Sequence, residues 1–182
     1  SGSAKNLELA NKLQLDLKPS NADRLLKRSK ELLLESEKKE IINKECSKNF
    51  ESIFIVGMPR SGTTLLESIL SMNNNVTDLG EINILEHSFL ESKQKNNGVT
   101  LTDLYFKKIS TYKNNFVITT NKWLYNYQYA GIICNNIANV KIIHCNRNPL
   151  DNILSIFRQK FTTGNYYSSS LVDCTKVYLD HE

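Results

Sequence analysis

From Ser52 onward, short apolar runs alternate with longer stretches whose apolar residues recur at helical spacing. The short runs fall at 53–57, 76–79, 116–120 and 140–144 and have the length of buried strands. The longer stretches predict helices at about 63–72, 82–92, 101–113, 124–137, 150–161 and 168–181. Asn73-Asn74-Asn75 and Lys95-Asn96-Asn97-Gly98 read as loops. Strands apolar throughout, each followed by a helix, predict a parallel sheet covered on both faces. The expected fold is therefore α/β, a three-layer sandwich with a central parallel sheet.

Residues 1–48 have a different pattern, rich in Leu, Lys and Glu with no strand signal. Leu25, Leu26, Leu32, Leu33, Ile41 and Ile42 fit a helical face, and Asn21-Ala22-Asp23 fits a helix start. The expected organisation is an N-terminal helical segment over 1–48 and an α/β domain over 49–182. Ser1-Gly2-Ser3 reads as a tag scar.

The first strand runs into Gly57-Met58-Pro59-Arg60-Ser61-Gly62-Thr63-Thr64 and then a helix. Its backbone N–H groups can turn inward around an anion. The spacing is that of a Walker A loop, G-x-x-x-x-G-K-[ST], except that Thr63 stands where the lysine belongs. That lysine reaches the β- and γ-phosphates of a nucleoside triphosphate, so its absence argues against ATP or GTP. Arg60 supplies a cation earlier in the loop.

This loop resembles the 5′-phosphosulfate loop of sulfotransferases that use 3′-phosphoadenosine-5′-phosphosulfate (PAPS). Its Pro-Arg-Ser-Gly-Thr-Thr form is similar to that of tyrosylprotein sulfotransferases and of bacterial sulfotransferases carrying tetratricopeptide repeats. A second block, Lys141-Ile142-Ile143-His144-Cys145-Asn146-Arg147-Asn148-Pro149-Leu150-Asp151-Asn152-Ile153-Leu154-Ser155, resembles the family's 3′-phosphate block. Leu13 to Ala22 is similar to the joint between two tetratricopeptide repeats, although one copy makes no array. A charged helix packed on the catalytic domain explains the same segment. The related domains usually continue further, so the 49–182 domain is expected to be truncated at its C-terminal end.

The resemblance implies roles. Arg60, Ser61, Gly62, Thr63 and Thr64 would hold the 5′-phosphate and sulfate, and Arg147 and Ser155 the 3′-phosphate. Glu81, after Gly80 at a strand end, would be the general base, and Lys122 would lie near the bridging oxygen. PAPS would be the co-substrate and 3′,5′-diphosphoadenosine (PAP) the product, with no metal. Two departures stand out: Leu65 replaces an adenine-stacking aromatic of cytosolic relatives, and Trp123-Leu124 follows Lys122 where Pro is frequent. Competing readings remain for single residues. Glu81 would be favoured in a helix first turn anyway, His87 is a rival base, and Asp151 suits a helix dipole. Arg158 and Lys160 suit a solvated face as well as a nucleotide.

The 182-residue chain is 40% hydrophobic and 23% charged, an ordinary globular composition. A net charge of +4 suits an anionic nucleotide but is too small and dispersed for nucleic acid. Cys46, Cys134, Cys145 and Cys174 show no CxxC pair and no ligand spacing with the three histidines, which argues against zinc; Cys134 and Cys145 are expected to be buried thiols. No run is apolar enough to span a membrane. A cytoplasmic location is expected, with the Golgi lumen as the eukaryotic alternative. The resemblance implies a hydroxyl acceptor, with peptide tyrosine, a saccharide and a small metabolite all open, since variable loops build acceptor pockets. Rival readings are a P-loop kinase or NTPase, a non-catalytic PAPS- or PAP-binding protein, and an interaction module.

Overall fold

The computed structural model describes residues 2–38, 51–94, 98–112, 117–161 and 163–182. Ile41, Ile42 and Cys46 lie outside the described residues, as do Lys95 to Asn97. The elements are, in order, α1 (Gly2–Leu17), α2 (Ala22–Glu37), β1 (Glu51–Gly57), α3 (Thr63–Leu70), β2 (Val76–Asp78), α4 (Ile84–Gln94), α5 (Leu101–Tyr112), β3 (Ile118–Asn121), α6 (Ala130–Asn136), β4 (Val140–Cys145), α7 (Pro149–Phe157) and α8 (Leu171–His181). Short 3₁₀ turns cover Leu124–Tyr129 and Tyr166–Ser169. The chain divides into two compact units, one of Leu32–Gly57 and Gly62–Cys145, the other of Ser1–Glu31, Met58–Ser61 and Asn146–Glu182.

The first unit holds a four-stranded parallel sheet in the order β2-β3-β1-β4, flanked by helices. This is the α/β architecture that the alternating pattern predicts. β1 is central: it pairs with β3 from Glu51 to Phe54 and with β4 from Ser52 to Gly57. Ser52 through Gly57 are buried, which explains why this strand reads as an unbroken apolar run. Its core joins Phe54 to Leu85, Phe89, Tyr105, Ile109, Tyr129 and Ile133. Phe54 and Tyr105 lie with ring centroids 5.5 Å apart. β4, in contrast, leaves Lys141 and His144 exposed.

The second unit packs α1 and the start of α2 with α7 and α8. α1 ends at Leu17, two residues before Pro19, as expected of a residue that cannot continue a helix. Asn21 is buried and ties the joint down: its Nδ2 donates to the Gly164 carbonyl (2.6 Å) and its Oδ1 accepts from the Tyr167 amide (3.0 Å). Asn11 likewise donates to the Phe157 carbonyl at 3.1 Å. α7 starts as its sequence dictates, with Pro149 in the first turn and the Asn148 side chain accepting from the amides of Leu150 and Asp151. α8 is capped by Ser170, whose hydroxyl accepts from the Asp173 amide.

Four expectations need correction. The helix expected over 124–137 is a 3₁₀ turn followed by the short α6. Asn126 is buried there and donates to Asn121 Oδ1 at 2.7 Å, and its amide bonds the Trp123 carbonyl in the tighter i−3 pattern. The last helix starts at Leu171 and not at 168, because Ser170 caps it. Cys134 is exposed and Cys145 only half-buried, with burial raising the Cys145 thiol pKa. An apolar run on a short helix buries one side only, here Ile132 and Ile133, and the buried free thiol among the described residues is Cys174. Leu33 is also exposed, whereas Leu25 and Leu32, two turns apart, are buried.

Gly131 on α6 allows a close approach to α2. A Cβ there would meet Ser36 Oγ at 2.6 Å and Ser36 Cβ at 2.8 Å, closer than atoms tolerate. Gly131→Ala is therefore expected to destabilise the fold by about 1–3 kcal/mol through overpacking, despite the better helix propensity of Ala. Urea unfolding would measure it, and a stability equal to wild type would show that α2 shifts freely away.

Candidate active site

β1 ends at Gly57 and α3 begins at Thr63, so five residues form the loop between them. Two of them have positive φ: Gly62 at 103°, the N-cap of α3, and Arg60 at 69°. A side chain at Gly62 would meet no atom, so the glycine serves the left-handed backbone and not a lack of room. The first turn of α3 then presents Thr63, buried, and Thr64, exposed. Leu65, at the position of the missing aromatic, is exposed.

One set of predicted residues gathers in the second unit. Arg60 Nε donates to Ser155 Oγ at 3.3 Å, and Arg147 Nη1 donates to the Arg60 carbonyl at 3.1 Å. Tyr178 Oη donates in turn to the Arg147 carbonyl at 3.1 Å. Arg60, Arg147, Asp151, Leu154, Ser155, Arg158 and Gln159 line a pocket of about 300 Å³. Three guanidinium groups face one carboxylate there, so the pocket is cationic and rich in donors. Ser61 Oγ is buried and makes no hydrogen bond.

Asn152 was invisible to motif reading, yet it holds the loop. It is fully buried on α7, and its Nδ2 donates to the Pro59 carbonyl at 3.0 Å. The only signal in the sequence is its place on the α7 face shared with Ile156, four residues on, which is also buried.

The other set gathers in the first unit, at the ends of β2 and β3. Lys122 follows β3, and its side chain is only 9% exposed, so it is no solvated lysine. Its Nζ donates to Glu81 Oε1 at 2.8 Å, while the Glu81 side chain stays half exposed. The Lys122 amide bonds the Gly80 carbonyl at 3.0 Å, which extends the β2–β3 pairing past both strands. His87, the rival base, is exposed on α4.

A third member of this cluster, Glu67, was missed. It is buried on α3, one turn after Thr63, with Oε1 accepting from Thr120 Oγ1 (2.8 Å) and from the Gly80 amide (3.2 Å). Lys122 Nζ lies 3.8 Å from its Oε2. Burial raises the Glu67 pKa above the ordinary carboxylate value, against the lowering pull of Thr120, Lys122 and Gly80. A carboxylate four residues after a buried Thr, on the face turned to the sheet, was the available signal.

Comparison with known proteins gives the same direction. A family model described as "Sulfotransferase domain" matches residues 50–178, well over half of the chain. A protein of Aquifex aeolicus (strain VF5) named "Uncharacterized protein" is 30% identical over 129 residues, which covers 60% of this chain. The chain spans only 17% of that relative's length. Among the described residues no helix is long and apolar enough to cross a membrane.

Replacing Asn152 with Ala removes the donor to a buried loop carbonyl. The expected loss is about 1–3 kcal/mol, because that carbonyl is left unsatisfied. Thermal and urea unfolding of the variant would test this, and wild-type stability would mean that the Pro59 carbonyl finds another partner.

Proposed function

The chain belongs to the sulfotransferase domain family, and on that premise we propose that it moves a sulfuryl group from PAPS to a hydroxyl acceptor. The observation that carries this reading is the pocket of Arg60, Arg147, Ser155 and Arg158 beside the loop backbone. Its chemistry suits a phosphate: guanidinium forks grip phosphate oxygens, and a Ser hydroxyl adds one bond. The unpartnered Ser61 Oγ supports anion binding at the loop. A donor without the 3′-phosphate would leave this cationic pocket unmatched.

Sulfuryl transfer resembles phosphoryl transfer in needing an in-line nucleophile, a stabilised leaving group and donors around three equatorial oxygens. In the proposed sequence, Glu81 takes the acceptor hydroxyl proton as the new S–O bond forms. The bond from sulfur to the 5′-phosphate oxygen breaks, and PAP leaves. Lys122 and Arg60 offset the charge developing on the bridging oxygen and the transferring group. Gly62, Thr63 and Thr64 supply backbone N–H groups and hydroxyls at the helix start. The sulfuryl group carries less charge than a phosphoryl group, so Arg60 and Lys122 suffice in this scheme without a metal. Peptide tyrosine, a saccharide and a small metabolite are the acceptor classes to screen.

Two variants separate the roles. Arg147→Ala is expected to weaken PAP binding by about 2–3 kcal/mol while leaving a 5′-phosphate-only nucleotide nearly unaffected. Glu81→Gln is expected to keep PAP affinity and lower turnover by about 10²-fold or more. Calorimetry with PAP and with adenosine 5′-phosphate, beside a turnover assay with PAPS, reads both. Preference for ATP–Mg²⁺ over PAP in the wild type would overturn the reading in favour of a kinase or NTPase.

A further inference from the structure

Glu67 is a buried carboxylate that the proposed chemistry does not use. Its two oxygens face different partners. Oε1 takes two neutral donors, the Thr120 hydroxyl and the Gly80 amide, which the amide oxygen of a glutamine could serve equally well. Oε2 faces the Lys122 ammonium, and that contact alone needs a carboxylate. Keeping a charge in a side chain only 7% exposed costs stability that a glutamine would avoid. A simple clamp between β2 and β3 therefore does not account for the residue.

We infer that Glu67 is a positioning residue that holds the Lys122 ammonium and the Gly80–Glu81 turn against the helix that begins at the phosphate loop. The inference rests on the proposed reading only in taking Lys122 and Glu81 as the groups that serve transfer. Glu67 lies on α3 four residues after Thr63, and its partners come from the ends of β2 and β3. One side chain thus joins the helix that opens at the donor loop to the two strand ends that carry the cation and the base. Lys122 stands between two carboxylates, one buried at 3.8 Å and one half-exposed at 2.8 Å. The buried one keeps the ammonium in place when Glu81 turns to a substrate proton. Asp78, also near Glu67, adds negative charge on the β2 side.

The test needs no acceptor. Each lysine of the whole chain is labelled in trace with acetic anhydride at pH 8 and quantified by peptide mass spectrometry, for wild type, Glu67→Gln and Glu81→Gln. Removing the Glu67 charge should raise Lys122 labelling about threefold, because the amine loses the buried partner that holds its 9%-exposed side chain away from the reagent. Exposed Lys107 serves as the unchanged reference. Unaltered Lys122 labelling in a folded Glu67→Gln protein would overturn the inference. If that variant does not fold, Thr120→Val, which removes one donor to Oε1, should give a smaller rise in the same direction, and no rise would overturn it. In turnover with PAPS and p-nitrophenol as the probe acceptor, Glu67→Gln should lower kcat about tenfold and leave the KM for PAPS within about twofold. A loss confined to KM would place Glu67 in donor binding and overturn the positioning role. A wild type that transfers nothing while its Lys122 labelling responds to Glu67→Gln would refute the proposed function and leave the placement of Lys122 standing.

Discussion

The central placement of β1 is the constraint on which the rest of the sheet depends. Hydrogen-bonded along both edges and buried from Ser52 to Gly57, it can neither slip register nor shift toward solvent. Because all four strands are parallel, their carboxyl ends face one way, and the connections that follow them leave from the same edge. Gly57 opens the loop after β1, Gly80–Glu81 follows β2, and Lys122 follows β3. The register brings Asp78 opposite Thr120 in neighbouring strands, so Glu81 and Lys122 leave adjacent strand ends and can pair. Neither residue needs an unusual backbone to do so. Their meeting is a consequence of strand order.

The sheet and the loop were legible because each rests on local rules. Ile53 to Val56 is apolar at every position, as a strand buried on both faces must be, and Gly62 marks a place where the backbone turns left-handed. The start of α7 was equally readable, since Asn148 and Pro149 determine it within four residues. What could not be read depends on distant partners. Cys134 shares an apolar run with Ile132 and Ile133, and only the docking of α6 decides which side is covered. The 3₁₀ turn at 124–129 follows from Asn126 reaching Asn121, a contact that no propensity encodes. Glu67 and Asn152 look like ordinary helix residues until the carbonyl or ammonium they serve comes from another element.

Arg60 is the cation of the loop, three residues before the position a Walker lysine would take. A Walker lysine acts from the helix start, as a point charge reaching outward. Here Thr63 occupies that position and is buried, and the arginine stands three residues earlier, before the turn. Arg60 sits at a φ of 69°, a left-handed conformation that costs a non-glycine residue roughly 1–2 kcal/mol. Glycine would avoid that cost but would carry no charge. The surroundings hold the strained backbone in place: Arg147 donates to the Arg60 carbonyl, and Asn152 donates to the carbonyl just before it, at Pro59. The guanidinium is oriented in turn by Ser155.

Arg147 and Ser155 therefore have a second use besides lining the cationic pocket. They also hold the loop residue Arg60, so the pocket and this part of the loop share the same side chains. An anion that draws Arg147 or Ser155 toward itself alters the bonds that hold Arg60. Both bonds serve an arginine at a position where backbone geometry alone would favour glycine.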